Sequence, residues 1–179
     1  MKKIILILLF IIASFAKEVY FMPMQGKEAQ KRLFSLFAHS KELKIVIYTF
    51  TNKYLAKAIK IASKNGAKIT IIADKKESKY KRSVIPNLAA IKNIKIFLLS
   101  GKKYKNNKKA KMHVKMAIVD NKYLIIGSAN YSYSAFFKNY EYILIDKDKE
   151  LINKFNKFFL KLKEISTPYK LSREKIIIF

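Results

Sequence analysis

The sequence predicts an α/β fold: a mixed, largely parallel β-sheet flanked by helices and formed by a single domain. In the first hundred residues, β-branched or aromatic runs alternate with amphipathic segments of helical period, a rhythm typical of parallel neighbouring strands. In the second half, two strand-like runs follow each other across a short polar segment, which indicates an antiparallel hairpin. The chain has 179 residues and is 51% hydrophobic, which suits one folded domain and excludes a disordered basic chain.

The first half of the chain supplies four strands and three helices. Apolar residues recur at helical spacing in residues 26–40 and again between Asn52 and Gly66. Thr51 or Asn52 can cap the second helix, and Gly66 can take the left-handed conformation that favours a helix end. A short helix is expected near residues 84–91. The strands are predicted at residues 19–22, 44–50, 67–73 and 94–99.

The second half begins with a basic polar loop at residues 102–111 and then returns to strands. Asp120, Asn121 and Lys122 form a plausible hairpin turn between the first two of them. The tail after Pro168 ends in four apolar residues, and the sequence leaves open whether it is a last strand or a loosely held end. Strands are predicted at residues 112–119, 123–127 and 141–145, and a final amphipathic helix at residues 147–164.

The first sixteen residues have the pattern of a secretory signal peptide. Lys2 and Lys3 precede an uncharged stretch, residues 4–16, that is too short to span a membrane, and Ser14 and Ala16 suit a signal peptidase. Cleavage after Ala16 would leave one domain, residues 17–179. We therefore expect a periplasmic or secreted protein, or a membrane-associated one if the segment is retained as an anchor.

The net charge predicts a polyanionic partner. The chain carries 38 Lys and Arg against 12 Asp and Glu, a formal charge of +26, and loss of the two leader lysines leaves +24. A field of one sign holds nucleic acid or anionic membrane, and the near absence of Arg favours contacts to phosphate over reading of base edges. The absence of cysteine excludes disulfides, thiol catalysis and Cys-ligated zinc.

One segment combines the side chains that phosphoryl chemistry needs. It runs His113-x-Lys115-x4-Asp120-x6-Gly127-Ser128-x-Asn130. On a strand His113 and Lys115 project side by side, and the hairpin returns Ser128 and Asn130 to the same end. An imidazole can attack phosphorus or move a proton, while Lys115, Ser128 and Asn130 can bind the phosphate oxygens.

This pattern resembles the HxKx4Dx6GSxN signature of the phospholipase D superfamily at every fixed position. The resemblance extends from about residue 19 to residue 145 and implies a phospholipase D-like fold with one such motif per chain. It implies that His113 and Lys115 are catalytic and that Asp120 belongs to the catalytic set in a supporting role. Glu141 stands where related small nucleases place a carboxylate that hydrogen-bonds the catalytic histidine.

A single motif implies a partner of the same kind. His39 lies outside any second motif and is expected at the surface or a helix end. In the small bacterial Nuc-type endonucleases, which this chain resembles, the second histidine comes from a symmetry-related copy. The resemblance therefore implies a homodimer with a shared site, a phosphohistidine intermediate, and no metal or other cofactor.

The loop before the motif is a candidate substrate groove because it leads directly into His113. Its tyrosine, Tyr104, together with Tyr131 and Tyr133 after the motif, could stack on bases. The groove lysines are Lys102, Lys103, Lys105, Lys108, Lys109 and Lys111.

The leading functional interpretation is a metal-independent nuclease of low sequence specificity that cleaves DNA, with RNA as a further substrate. Two alternatives stay open. One is a phospholipase D that acts on anionic phospholipids, and the other is a basic nucleic-acid-binding protein without catalysis.

Overall fold

The computed structural model describes residues 17–102 and 110–170. In these residues eight strands form one sheet in the order β1-β7-β6-β5-β2-β3-β4-β8. The strands are β1 (Glu18–Met22), β2 (Glu42–Ile47), β3 (Lys68–Asp74), β4 (Ile94–Leu99), β5 (Lys115–Val119), β6 (Tyr123–Gly127), β7 (Glu141–Asp146) and β8 (Thr167–Pro168). The α-helices are α1 (Gly26–Ala38), α2 (Lys53–Lys64), α3 (Ile85–Ala89), α4 (Tyr133–Phe137) and α5 (Lys149–Glu164).

The sheet is mixed, as expected, but the share of parallel pairing is smaller than the sequence predicts. Only the β2–β3 and β3–β4 pairs are parallel. The other five pairs of neighbouring strands are antiparallel. Parallel pairing needs a long crossover, which the segments containing α2 and α3 provide. The β5–β6 connection is a tight hairpin, which can only join antiparallel strands.

Helices cover both faces of the sheet. Helices α1 and α2 pack on one face, where the apolar stripe of α2 predicted from the sequence is buried. Asn52 caps α2 by accepting a hydrogen bond from the backbone amide of Leu55 at 3.1 Å, and Gly66 ends it with a φ of 85°. Helix α5 covers part of the other face with Ile152 and Phe159.

The hairpin between β5 and β6 is a two-residue turn. Asp120 and Asn121 have φ values of 53° and 50°, and the Lys122 amide donates to the Val119 carbonyl at 2.9 Å. Positive φ at both central residues is the type I′ geometry that matches strand twist, and Asp and Asn tolerate it well. The turn expected here is confirmed.

Two strands are shorter than predicted at the same edge of the sheet. β2 ends at Ile47 and not at residue 50, and β5 begins at Lys115 and not at residue 112. The neighbouring segments 48–50 and 112–114 leave the strand ladder and are free to shape a site. Helix α4, which the sequence analysis did not predict, begins where Ser132 accepts a hydrogen bond from the Ala135 amide.

The expectations for the two ends of the chain lie outside the described residues. They concern the leader, residues 1–16, and the apolar end after residue 170, and they stay predictions. Before that end, the short strand β8 pairs antiparallel with β4. Within residues 17–102 and 110–170, no helix combines the length and the apolar character needed to cross a membrane.

Candidate active site

The strand order brings the predicted site residues to one edge of the sheet. β5 begins, β6 ends and β7 begins at this edge, because the three strands are neighbours and antiparallel. His113 directly precedes β5, Lys115 opens it, Ser128 follows β6 and Glu141 opens β7. β2 ends at the same edge, where Ile47 pairs with Lys115.

His113 and Lys115 form the centre of the site. The Lys115 Nζ atom lies 3.0 Å from both ring nitrogens of His113 and donates a hydrogen bond to the His113 carbonyl oxygen at 2.9 Å. Lys115 is 9% exposed, whereas His113 is exposed to solvent. A buried ammonium is thus held against an accessible imidazole.

The electrostatic surroundings favour the neutral form of His113. Partial desolvation of its ring lowers the pKa from the ordinary value, and the Lys115 and Lys111 ammonium groups lower it further, while Glu141 and Asp74 act in the opposite direction. Desolvation also lowers the pKa of Lys115, against the attraction of Glu141. A neutral imidazole keeps the lone pair that nucleophilic attack requires.

Ser128 and Asn130 are oriented as hydrogen-bond donors. The Ser128 hydroxyl oxygen accepts a bond from the Tyr142 amide at 3.1 Å, and the Asn130 Oδ1 atom accepts one from the Thr49 amide at 3.3 Å. Among the described residues, none accepts a hydrogen bond from the Ser128 hydroxyl or the Asn130 NH₂ group, so these two donors can bind phosphate oxygens. Both residues therefore fit the predicted phosphate-binding role.

Gly127 is required by the backbone and not by the substrate. A Cβ atom at this position would overlap the carbonyl group of Tyr142 on β7. Only glycine allows β6 and β7 to approach this closely at the site edge. The close contact holds Ser128 against β7.

Glu141 acts on the site at a distance. Its carboxylate raises the pKa values of His113 and Lys115 by charge attraction. The hydrogen bond from Glu141 to His113 that the family resemblance implies does not occur among the described residues. Glu141 therefore influences the charge of the imidazole without fixing its tautomer.

Asp120 lies outside the site, which corrects its inclusion in the catalytic set. It follows β5 at the end away from His113, and Oδ1 accepts hydrogen bonds from the Lys41 and Glu42 amides at 2.8 and 2.7 Å. Seven residues of extended chain span roughly 23 Å, so no contact with His113 is possible. Asp120 supports the site only by fixing the hairpin to β2.

The remaining candidates divide between two regions. His39 is exposed at the end of α1, as expected, with Nδ1 2.8 Å from the Ser35 carbonyl oxygen. Of the proposed groove, Lys102 and Lys111 are both exposed. The others, Lys103, Lys105, Lys108 and Lys109, lie outside the described residues together with Tyr104.

The predicted stacking tyrosines differ in their accessibility. Tyr131 is buried against Phe37 and Phe50, so it cannot stack on a base. Tyr133 is 64% exposed and keeps that possibility. The sequence could not separate them, because both follow Asn130 in the same short segment.

Two contributors to the site were missed. The Tyr48 ring lies 4.6 Å from the His113 ring, centroid to centroid. Asp74 is 3% exposed, and its Oδ2 atom accepts a hydrogen bond from the Met112 amide at 3.2 Å. Asp74 thereby fixes the segment before His113 to the end of β3. The only sequence signal was their position: Tyr48 follows the buried strand β2, and Asp74 is the last residue of the buried strand β3.

An imidazole whose lowered pKa favours its neutral form, a buried ammonium and two neutral polar side chains meet at one edge of a mixed sheet, an arrangement suited to attack on a phosphoryl group. Within the described residues, His, Asp and Glu side chains do not gather in any group of three that could hold a metal ion. Residues 33–163 match the family model described as "Cardiolipin synthase, PLD-like domain". The chain belongs to this phospholipase D-like family.

Individual relatives agree with the family. NucT from Helicobacter pylori is 34% identical, with a TM-score of 0.82 over 86% of this chain and 99% of that one. Nuc from Salmonella typhimurium, a phospholipase D family member, has the same fold at 22% identity, with a TM-score of 0.70 over 87% of this chain and 98% of that one.

A zebrafish (Danio rerio) mitochondrial cardiolipin hydrolase is 29% identical over 136 residues, which is 76% of this chain. The chain spans 57% of the length of that relative. The family and these relatives support the enzyme class expected from the sequence, a hydrolase of phosphodiesters.

Proposed function

We propose that the protein hydrolyses phosphodiesters in DNA, and in RNA as a further substrate, with low sequence specificity and without a metal. The observation that carries the proposal is the contact of the Lys115 ammonium with an exposed His113 whose neutral form is favoured. Lys115 supplies the positive charge that would stabilise the phosphorane-like transition state, and His113 supplies the nucleophile.

The reaction has two steps. A ring nitrogen of His113 attacks phosphorus, the bond from phosphorus to the leaving oxygen breaks, and a second imidazolium protonates that oxygen. Water then attacks the phosphohistidine and gives its proton to the second imidazole. This hydrolysis releases the phosphomonoester and returns both histidines to their starting protonation states. Ser128, Asn130 and Lys115 hold the non-bridging oxygens throughout.

The mechanism needs a second imidazole, and this need supports a homodimer. The sequence has two histidines, and His39 lies at the end of α1, near the start of β2 and thus at the edge of the sheet opposite His113. The partner subunit's His113 is the remaining source. We therefore propose a two-fold homodimer with a shared site.

An open apolar face offers a place for the second copy. Val19, Phe21 and Tyr142 are 42%, 54% and 49% exposed, and the pairing of Phe21 with Tyr142 puts them on the face that carries α5. The buried residues of α5 share a hydrophobic cluster with residues of β2, β3, β4, β5 and β6, and this cluster contains no described residue of β1 or β7. A second copy that contacts this face would bury the exposed rings beside the site edge.

The charge of the chain favours a polyanionic substrate. At +24 without the leader, the protein should bind the continuous phosphate backbone of nucleic acid without reading bases. The names of the family model and of the zebrafish relative favour cardiolipin, an anionic phospholipid, as the second candidate. Both substrates are phosphodiesters, so the same residues would serve. On the basis of the predicted leader, we propose that the protein acts in the periplasm or outside the cell, or at the membrane if the leader is retained as an anchor.

The experiment is an activity panel in excess EDTA. Plasmid, single-stranded DNA, RNA and cardiolipin vesicles are each incubated with the protein, with His113→Ala, and with His39→Ala as a matched control. We expect cleavage of nucleic acid by the protein and by the control variant only. Cleavage of cardiolipin alone would replace the proposed substrate, and a strict need for divalent metal would overturn the mechanism. DNA binding without turnover would support the non-catalytic alternative.

A further inference from the structure

The Tyr48 ring lies beside His113, Lys111 and Lys115. Its ring centroid lies 4.6 Å from that of His113, with 58° between the ring planes. The Nζ atoms of Lys111 and Lys115 lie 5.2 and 5.4 Å from the same centroid. These are distances at which an aromatic ring attracts an ammonium group.

The backbone around Tyr48 is fixed on both sides. Ile47 is the last residue of β2 and pairs with Lys115, and the Thr49 amide donates to Asn130 Oδ1. Phe50 forms an isolated bridge with Tyr131. The ring of Tyr48 is therefore anchored to the same strands that carry Lys115 and the phosphate-binding Asn130.

The Tyr48 ring reduces the repulsion between positive charges at the site. Lys111 and Lys115 both lie near His113, where each ammonium repels the other and opposes protonation of the imidazole. The negative face of the tyrosine ring offsets this repulsion, and the ring shields one side of the imidazole from water. The His113 ring and the Lys111 and Lys115 ammonium groups would then be in position before the phosphate binds, so the site would not need to reorganise.

We propose that Tyr48 is a positioning residue for phosphodiester cleavage, which holds the His113 ring and the Lys111 and Lys115 ammonium groups around one phosphate. This inference rests on the proposed function and adds a residue outside the HxKx4Dx6GSxN motif. Tyr48 acts on His113 and Lys115 through its ring, while its hydroxyl group also hydrogen-bonds the Lys111 ammonium.

The kinetic test compares Tyr48→Phe with Tyr48→Leu. Tyr48→Phe keeps the ring and loses only the hydroxyl group that hydrogen-bonds Lys111, so kcat should stay within about threefold. Tyr48→Leu should lower kcat about tenfold to a hundredfold, as expected for a misplaced nucleophile. Tyr54→Leu is the control, because Tyr54 is a partly exposed tyrosine on α2 that stacks on Phe34. A Tyr48→Leu enzyme with unchanged kcat would overturn the proposal, and so would a loss of kcat equal to that in Tyr54→Leu.

A second readout is the pH profile. The charged groups that act on His113 are Lys111 and Lys115, which lower its pKa, and Glu141 and Asp74, which raise it, and the substitution replaces none of them. Desolvation is the largest cause of the lowered pKa of His113, so loss of the ring, which lets water reach the imidazole, should raise this pKa. The acid limb of kcat/KM should then move to higher pH in Tyr48→Leu and stay in place in Tyr48→Phe.

An NMR titration of the His113 ring separates this inference from the proposed function. It is recorded in a His39→Gln background, where His113 is the remaining histidine, and it needs no turnover. If the protein cleaves no phosphodiester, the proposed function fails, but a raised His113 pKa in Tyr48→Leu would still support the positioning contact. An unchanged pKa in a folded Tyr48→Leu protein would refute the contact itself.

Discussion

The Asp120 carboxylate accepts a hydrogen bond from the Glu42 amide at 2.7 Å, at the edge of the sheet opposite His113. A second bond from the Lys41 amide joins the same oxygen atom. The acidic residue of the HxKx4Dx6GSxN pattern thus connects the β5–β6 turn to the start of β2. Its contribution is to the geometry of the strands beside His113 and Lys115.

Substitution of Asp120 should therefore lower stability more than turnover. Asp120→Ala removes an acceptor of two amides and places alanine at positive φ, which together should lower the free energy of unfolding by about 1–3 kcal/mol. Asp120→Asn keeps the Oδ1 acceptor and should lose less. Urea unfolding measures both changes. Under conditions where the variants are folded, kcat should stay within about twofold, and a loss comparable to that in His113→Ala would contradict this assignment.

Two substitutions should move the pKa of His113 in opposite directions. The Lys111 ammonium lowers this pKa and the Glu141 carboxylate raises it. Lys111→Gln should therefore raise the pKa and Glu141→Gln should lower it. Because attack needs the neutral imidazole, the acid limb of kcat/KM should move to higher pH in Lys111→Gln and to lower pH in Glu141→Gln.

The NMR titration in the His39→Gln background measures these shifts directly. Lys149→Gln serves as the matched control. This exposed lysine is the first residue of α5, and α5 follows the end of β7 that is farther from the site. Shifts of the same sign in both variants would show that the two groups act by changing the structure and not by their charge. Equal shifts in the control would show a general charge effect.

Local spacing was enough to predict the central pair and the phosphate donors. A hairpin of fixed register returns Ser128 to the strand end where Lys115 begins, so the sequence pattern alone places them together. The same spacing argument, applied to strand rise, could have excluded Asp120 from the site.

Tyr48 and Asp74 could not be predicted in the same way. They lie 65 and 39 residues before His113, respectively, and reach it only because β2 is the neighbour of both β3 and β5. The register between strands that are far apart in sequence depends on the packing of the whole sheet, so a short sequence motif cannot predict it. The predominance of antiparallel pairs was missed for the same reason, since β1 pairs with β7 at the opposite end of the chain.

The open face at β1 and β7 predicts how dimerisation can be broken. Phe21 is 54% exposed, so Phe21→Asp should fold normally but weaken self-association at least about tenfold, because a charge would enter an apolar interface. Sedimentation measures the change. Specific activity should fall on dilution more steeply than in the unmodified protein, since a monomer lacks the second imidazole.

Tyr54→Asp is the control for that experiment. Tyr54 is 41% exposed on the helical layer of the opposite face, so the same charge there should leave association unchanged. A fully active monomer of the unmodified protein would refute the shared site. A Phe21→Asp protein that remains a dimer would refute this face as the interface.

Substitutions of Asn130 can separate two roles of its side chain: donation to the phosphate by the NH₂ group and support of the Thr49 backbone by Oδ1. Its Oδ1 atom accepts from the Thr49 amide, which leaves the NH₂ group for the phosphate. Asn130→Asp keeps the acceptor and replaces the donor by a negative charge, whereas Asn130→Ala loses both. Loss of one transition-state donor typically lowers kcat about 10²–10³-fold, and repulsion of the phosphate should make Asn130→Asp the less active variant.

Stability should follow the opposite order. Asn130→Asp retains the bond to Thr49 and should unfold at a urea concentration close to that of the unmodified protein, while Asn130→Ala loses about 1 kcal/mol. Activity and stability are measured on the same three preparations. If Asn130→Asp is both stable and fully active, the amide does not bind the phosphate. If instead both variants lose activity in proportion to stability, Asn130 serves only to hold the Thr49 backbone beside Tyr48.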